Sequence, residues 1–187
     1  MWVLVNHLRL LTPPIQHMTP EEACLDAFQQ ELDYIYRTLH RLGVPPSEVE
    51  DLAQDVFLAL RHSWPNYDQS RPIRPYLFGI AFRIASAGYR KSRREVAIGI
   101  VETDDTRPGP EDVLQGKQAR ALLLAALERI PLPRRAVLVM RDIDDIPIDQ
   151  VASALAIPLF TAYSRLRKAR RELEAAVRRM VKEGEFR

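Results

Sequence analysis

A predicted helix near the carboxyl end combines residue types that suit contact with duplex DNA. One side of it, which we call the basic face, carries Thr161, Tyr163, Ser164, Arg165, Arg167, Lys168, Arg170 and Arg171. The other side carries Leu166, Ala169 and Leu173 at the spacing of a buried helix face. When such a helix enters a major groove, cations bind phosphates and short polar side chains contact base edges. The stretch is a candidate for DNA binding, and a solvated surface helix is the competing interpretation.

A short helix is predicted immediately before this one. Ile148, Val151, Ala152 and Leu155 follow the spacing of a helix with one apolar side. Pro158 then interrupts the pattern, because the residue before a proline is disfavoured in the α conformation. Two short helices around a tight break predict a helix-turn-helix hairpin, in which the second helix reads the DNA.

Aromatic and basic residues are interleaved along another predicted helix, at about residues 75–94. We call this set the aromatic-basic face: Arg74, Tyr76, Phe82, Arg83, Tyr89, Arg90, Lys91, Arg93 and Arg94. Rings stack on unpaired bases while cations hold phosphates, so the combination suits single-stranded nucleic acid. The competing interpretation places about half of the rings of this helix in the core.

A third candidate surface is acidic and lies on a helix predicted at about residues 48–62. The buried stripe of that helix is predicted to be Val49, Leu52, Ala53, Val56, Phe57 and Leu60. The opposite side, which we call the acidic face, carries Glu50, Asp51, Gln54, Asp55 and Leu58. A solvated surface and a docking surface for a cationic partner are both compatible with this pattern.

Capping motifs predict where the amino-terminal helices begin. The first helix is predicted from about residue 20 to 42, with a capping box at Thr19–Glu22 and a terminating Gly43. Ser47 and Glu50 predict a second capping box, before the acidic helix. Because Met18 directly precedes the first capping box, we also predict that translation begins there.

The predicted elements give an all-α fold class with two small helical domains. Two further helices, at about residues 112–129 and 133–142, precede the hairpin, and no stretch shows the alternation of a β-strand. The predicted segments are a disordered extension (1–18), a first domain (19–95), a flexible acidic linker (96–112), a second domain (113–182) and a tail (183–187).

The charge of the chain is unevenly distributed. Residues 1–95 carry no net charge, residues 96–112 carry −4 and residues 113–187 carry +6, which together give the formal +2. A basic carboxyl-terminal module behind an acidic connector indicates a polyanionic partner for that module.

Several classes of protein find no support in the sequence. The motifs of metalloproteases, phosphate-binding loops and serine hydrolases are missing, and the four histidines lack metal-ligand spacing, so we expect no catalytic residue, metal or cofactor. Cys24 is the only cysteine, which excludes an internal disulfide. No apolar run approaches the roughly 20 residues needed to cross a bilayer, so we expect no membrane insertion.

Four segments in order resemble the extracytoplasmic-function (ECF) sigma factors, the compact two-domain specificity subunits of bacterial RNA polymerase. They are VEDLAQDVFLAL (49–60), PYLFGIAFRIA (75–85), ALERIPLPRRAVLVMRDIDDIPIDQVASALAI (126–157) and TAYSRLRKARREL (161–173). The resemblance covers most of residues 19–180. It implies a cytoplasmic, non-enzymatic protein that binds core polymerase and promoter DNA and is held by an anti-sigma factor.

The resemblance also implies roles for individual residues. Core polymerase would bind Asp51, Leu52, Gln54, Asp55 and Leu58. The aromatic-basic face would melt and read the start-proximal promoter element. The basic face would read the upstream element, in a second domain similar to sigma region 4, whereas the first domain is similar to sigma region 2.

The sequence departs from the family pattern in the hairpin. Pro147 and Pro158 replace the usual capping serines, Ala156 replaces the turn glycine, and Leu159-Phe160 replaces a polar pair. That apolar pair suits either thymine methyl groups or a protein surface. Two other functions therefore stay open from sequence: a degenerate sigma-like protein-interaction module, and a stand-alone helix-turn-helix regulator.

Overall fold

Helices form the regular structure of the computed structural model, which describes residues 19–97 and 114–183. The helices are α1 (Pro20–Gln30), α2 (Leu32–Leu42), α3 (Val49–Ser63), α4 (Ile73–Ala97), α5 (Leu114–Glu128), α6 (Leu132–Leu138), α7 (Ile148–Ala154) and α8 (Leu159–Glu183). Single helical turns precede and follow α3, and a π-helical turn (Val139–Ile143) follows α6. The predicted all-α class is confirmed. The predicted start at Met18, most of the linker and the end of the tail lie outside the described residues.

The predicted first helix is wrong in one respect, because the segment forms two helices that meet at Glu31. The capping box at its start is confirmed, with Glu22 N donating to Thr19 Oγ1 at 3.2 Å and Thr19 N donating to Glu22 Oε2 at 2.7 Å. In one continuous helix, Leu25 would share the buried face of Ile35 and Leu39. Because the helix breaks at Glu31, Leu25 is 43% exposed and Cys24 is buried instead.

The stripe predicted for α3 is confirmed, but its predicted cap is wrong. Val49, Ala53, Val56 and Leu60 are buried, and the rest of the stripe packs against the same core. Residues 46–48 form a 3₁₀ turn that leads into α3, and no side chain caps the helix. Ser47 lies inside this turn, and the N-cap position of α3 is occupied by Glu48.

The hairpin of α7 and α8 forms as predicted. Val151, Leu155, Leu166 and Ala169 are buried between the two helices and the rest of the core. Ala156 adopts φ of +52° in the turn, a left-handed conformation that costs about 1 kcal/mol for a residue with a side chain. The turn therefore keeps the geometry of a glycine without having one.

The domains on either side of the acidic segment pack against each other. Helix α2 contacts α5 and α6, and α4 contacts α7. Buried residues of both domains, including Leu39 and Phe78 in the first and Leu127, Val137 and Leu155 in the second, belong to one continuous cluster. The structure thus places the candidate surfaces of the two domains in a defined relation.

Candidate nucleic-acid interface

The basic face of α8 points largely away from the core. Tyr163 is 55% exposed, Arg167, Lys168, Arg170 and Arg171 are exposed, and Thr161, Ser164 and Arg165 are partly exposed. Ala162 and Leu166 anchor the opposite side of the helix in the core. The first turns of α8 therefore offer cationic and hydroxyl groups to a ligand outside the protein.

Arg170 differs from the rest of the basic face because the protein itself binds its guanidinium. Its Nε and Nη2 donate to the two carboxylate oxygens of Asp142, at 2.8 and 2.7 Å. A bidentate pair of this kind fixes the position of both side chains. In this arrangement Arg170 ties α8 to the π-helical turn, while more than half of its side chain stays exposed.

An apolar pair begins α8 and is exposed. Phe160 is 84% exposed and Leu159 is 46% exposed. Phe160 lines a shallow groove together with Thr161 and Arg165 of the basic face and with Pro131 and Arg134 of the second domain. An aromatic ring among cations at the start of this helix is suited to a base edge that carries a methyl group.

The aromatic-basic face of α4 is only partly exposed. Phe78, which lies among its rings, is fully buried, and Phe82 packs against the core. Tyr76 and Arg83 lie at the surface beside the loop that precedes α4. Arg90, Lys91, Arg93 and Arg94 fall on the last turns of α4, and their side chains lie outside the described part of the chain.

Two members of the aromatic-basic face are used within the protein. Arg74 Nε donates to Glu31 Oε2 at 2.8 Å, and its guanidinium lies 5.2 Å from the ring centre of Tyr34. Tyr89 donates its hydroxyl hydrogen to the carbonyl of Gly43 at 3.1 Å. Both contacts brace α4 against α1 and α2, so their first role is structural.

The structure adds the ring of Tyr67 to this surface, backed by the buried ring of Trp64. Trp64 and Tyr67 stack with ring centres 5.5 Å apart, and Tyr67 lies 4.7 Å from Tyr76. The sequence shows two aromatic residues, Trp64 and Tyr67, in the polar loop before α4. Spacing alone could not show that Tyr67 lies beside Tyr76. Tyr67 and Tyr76 extend the platform on which an unpaired base can stack.

The acidic face of α3 is open to solvent. Glu50, Asp51, Gln54 and Asp55 are exposed, and Leu58 is 58% exposed. Leu52, also predicted to bind the partner, is half-buried and packs against the core. Carboxylates around an exposed leucine suit a partner that presents cations around an apolar contact.

A buried arginine joins the ends of two helices across the domain boundary. Arg135 is 3% exposed, and its guanidinium donates to the carbonyls of Leu42 (2.6 Å), Glu128 (2.7 Å) and Ile130 (3.2 Å). Leu42 ends α2 and Glu128 ends α5, so one cation satisfies carbonyls that the helices leave free.

Gly43 provides the space for this arginine. It has φ of +86°, and a methyl group on its α-carbon would overlap the Arg135 guanidinium. Glycine is therefore required here by backbone conformation and by packing. Gly43 was predictable from the sequence as the end of a helix, but not as part of a contact with the second domain.

A second polar contact between the domains centres on Asp144, whose side chain is 7% exposed. Tyr34 and Arg41 of α2 donate to its two carboxylate oxygens, at 2.9 and 2.7 Å. Burial raises the pKa of the Asp144 carboxyl above its ordinary 3.8, and the hydrogen bond from Tyr34 and the charges of Arg41 and Arg74 oppose that rise. Burial and the nearby carboxylate also raise the pKa of Tyr34.

This contact predicts a pH dependence. Because the folded chain holds the Asp144 proton more tightly than the unfolded chain, its contribution to stability is full below 3.8 and falls as pH rises through the raised pKa. We expect the difference in thermal midpoint between the wild type and Asp144→Asn to fall over this window. A difference that grows with pH would mean that the Arg41 ion pair outweighs burial.

The described residues show neither a metal site nor a membrane span. Within residues 19–97 and 114–183, no three His, Cys, Asp or Glu side chains come together to hold a metal ion. None of the described helices is long and apolar enough to cross a membrane. The exposed surfaces described above are therefore the candidates for function.

These surfaces define a class: a two-domain helical protein with a helix-turn-helix, an aromatic-basic face and an exposed acidic face. Comparisons with known proteins agree. Residues 27–95 match the family Sigma-70 region 2, and residues 120–173 match the family Sigma-70, region 4. The chain belongs to the sigma-70 family and to its ECF group.

Individual relatives are also sigma factors. The sigma factor NccH of Alcaligenes xylosoxydans xylosoxydans is 27% identical, over 71% of this chain and 75% of the relative. The ECF sigma factor RpoE of Cereibacter sphaeroides is 29% identical, over 80% of this chain and 83% of the relative. The chain therefore spans most of the length of these relatives.

Solved structures show the same fold. RpoE of Bartonella quintana, solved with the anti-sigma factor NepR, aligns with a TM-score of 0.62 and 21% identity, over 81% of this chain and 97% of that one. CnrH, solved with the cytosolic domain of CnrY, aligns with a TM-score of 0.58 and 22% identity, over 82% and 86% of the two chains. The arrangement of helices in both domains is thus that of sigma factors.

Proposed function

We propose that three surfaces divide the work of this sigma factor, which binds core RNA polymerase and directs promoter recognition and melting in the bacterial cytoplasm. The observation that supports the proposal best is that three helix faces differ in chemistry: the exposed face of α3 is acidic, the partly exposed face of α4 is aromatic and basic, and the outer face of α8 is basic and hydroxylated. Family membership favours this function over a degenerate interaction module or a stand-alone regulator.

Core polymerase binds the exposed side of α3 in this proposal. The contacting residues are Asp51, Leu52, Gln54, Asp55 and Leu58. Carboxylates recruit a cationic surface over a distance, and the exposed Leu58 supplies an apolar contact at the centre. The half-buried side chain of Leu52 packs against the core and so supports the exposed side of α3.

Melted DNA of the start-proximal element binds α4 and the loop before it. Tyr76 and Tyr67 supply the stacking surface, and Arg83 supplies a cation beside it. Arg90, Lys91, Arg93 and Arg94 extend the positive charge along the helix in the sequence. Stacking depends little on base identity, so the rings stabilise the melted strand whatever its sequence. Neighbouring polar groups select the sequence of that strand.

Duplex DNA of the upstream element binds α8. Thr161, Ser164 and Arg165 lie on its first turns, where a recognition helix contacts base edges, and Arg167, Lys168 and Arg171 lie near phosphates. Phe160 contacts a thymine methyl group. Arg170 lies near phosphates as well, and its pair with Asp142 also positions the helix.

Two further assignments complete the proposal. Residues 19–95 and 113–182 are separate domains joined by the linker 96–112, which lies along the path of RNA in the polymerase. An anti-sigma factor binds this chain and clamps the two domains; in support, the related RpoE was solved in complex with the anti-sigma factor NepR, and CnrH in complex with the cytosolic domain of CnrY.

Reconstituted transcription tests the proposal. The purified chain, mixed with sigma-free bacterial core polymerase and host genomic DNA, is expected to produce discrete start sites that share an upstream element. Polymerase binding without initiation would favour the degenerate interaction module. Tight binding of duplex DNA by the chain alone would favour the stand-alone regulator.

Single substitutions in α8 sharpen this test. Arg165→Ala or Arg167→Ala is expected to weaken promoter binding by about 1–3 kcal/mol if the lost contact is bidentate to a base. Arg178→Ala is the matched control, because Arg178 is an exposed arginine of α8 that pairs with Glu174, two turns beyond the basic face. Unchanged transcription from every promoter in both variants would show that the recognition helix is misassigned.

A further inference from the structure

Phe160 lies at the surface of α8 and makes no contribution to the core. Its ring is 84% exposed, whereas Ala162 and Leu166 hold the same turns of the helix against the rest of the protein. Leu159 and Tyr163 beside it are 46% and 55% exposed. Single apolar side chains are ordinary at a surface, but three within five residues form a patch, and such patches mark binding sites. The start of α8 therefore offers an apolar patch to a ligand outside the protein.

The groove beside the Phe160 ring has further apolar lining. Pro131 and Pro133 line it too, and a proline has no N–H group to donate to a base edge. Arg134 also lines the groove, but its guanidinium pairs with Glu172 at 2.8 Å. The groove therefore suits an apolar group on the ligand. On a base edge in the major groove, that group is the C5-methyl group of a pyrimidine.

The free polar groups of the groove do not select between thymine and cytosine. Thr161 and Ser164 form no hydrogen bond, and Arg165 and Lys168 no ion pair, with any other residue that the structure describes. Because a hydroxyl both donates and accepts, Thr161 and Ser164 can bind the O4 acceptor of thymine or the N4–H donor of cytosine. The two cations bind guanine or phosphate oxygens instead. On a pyrimidine, the methyl group is thus the feature that this groove distinguishes.

We propose that this sigma factor recognises a pyrimidine by its methyl group, through Phe160, and that 5-methylcytosine replaces thymine at that position of the upstream element. The inference rests on the role proposed above for α8. A promoter with cytosine at this position is then bound weakly, and methylation of that cytosine strengthens initiation. The added methyl group supplies the apolar contact and leaves the base pair unchanged.

Templates that differ in one methyl group test the proposal. A promoter from the reconstituted transcription described above is prepared with each thymine of its upstream element replaced in turn by uracil, cytosine or 5-methylcytosine. Uracil pairs like thymine and lacks only the methyl group. At one position we expect uracil to weaken binding of the holoenzyme about fourfold, the factor expected for one buried methyl group. Cytosine should weaken binding at least as much, and 5-methylcytosine should restore it.

Substitutions at position 160 assign the effect to the ring. Phe160→Ala should abolish the difference between thymine and uracil, because no ring is left to contact the methyl group. Phe160→Leu should keep part of the difference, because leucine is also apolar. Val181→Ala is the matched control, since Val181 is an apolar residue at the other end of α8 and is 55% exposed. The control should leave promoter binding and the response to the methyl group unchanged.

Three results would overturn the inference. Uracil without effect at every position would show that no methyl group of the element is recognised. An equal loss with uracil in the wild type and in Phe160→Ala would assign the methyl contact to another side chain. A 5-methylcytosine that behaves like cytosine would show that the O4 atom of thymine, and not its methyl group, determines binding.

Two further measurements separate this inference from the proposed function. If Arg165→Ala or Arg167→Ala weakens promoter binding while uracil does not, the role of α8 stands and the inference alone is wrong. If both arginine variants and uracil leave promoter binding unchanged, the role proposed for α8 is itself wrong. Binding of each variant to core polymerase without DNA is measured as well. A loss there in Phe160→Ala, with the response to uracil retained, would place the ring against protein and overturn the inference.

Discussion

Asp51→Arg combined with Asp55→Arg is expected to reduce the affinity for bacterial core RNA polymerase by about a hundredfold or more, because like charges opposed in an interface cost several kcal/mol. Both side chains are exposed, so the fold should be unchanged. Binding is measured with sigma-free core polymerase and a labelled chain, and the helical circular dichroism of the variant is compared with that of the wild type.

The control for this experiment has the same change in charge elsewhere on the first domain. Asp26→Arg combined with Asp33→Arg reverses two exposed carboxylates on α1 and α2. Equal losses in the two double variants would assign the effect to net charge. Unchanged affinity in the Asp51 and Asp55 variant would refute α3 as the docking surface.

Arg135→Ala is expected to lower the free energy of unfolding by about 3 kcal/mol or more, because buried carbonyls lose a charged donor and stay unpaired. The side chain is 3% exposed and bonds to Leu42, Glu128 and Ile130. Urea unfolding followed by circular dichroism measures the loss. Arg135→Lys should recover only part of it, since an ammonium group cannot match the fork of a guanidinium.

The neighbouring arginine provides the comparison. Arg134 pairs with Glu172 at 2.8 Å, but both side chains are about one-third exposed. Such pairs contribute about 0–1 kcal/mol, so Arg134→Ala should have a small effect. Similar losses at positions 134 and 135 would show that the buried guanidinium is not what stabilises the contact between the domains.

Local patterns predicted the helices well where the period was clear and the ends were marked. The apolar stripe of α3 and the break at Pro158 follow directly from residue spacing and proline geometry. The division of the first helix at Glu31 carried no such mark, because neither glycine nor proline lies there. Ser47 had the right type for a cap, but it lies inside the 3₁₀ turn and not at the N-cap position of α3.

The candidate surfaces were predictable as faces but not as sets of free side chains. Spacing alone placed the basic face of α8 outward. Spacing could not show that Arg170 binds Asp142 or that Arg74 binds Glu31, because these partners lie on other helices. The contact between the domains was hidden for the same reason: Asp144 and Arg41 are 103 residues apart in the chain.

The buried position of Arg135 also has a consequence for the order in which the protein is made. Arg135 follows Leu42 by 93 residues, and ribosomes add about 5–20 residues per second, so about 5–20 s separate the synthesis of the two. During that time water can bind the free carbonyl groups at the end of α2, and α7 does not yet cover α4. Each newly made chain thus exposes these parts of the first domain on the ribosome until the second domain has been made and packs against them.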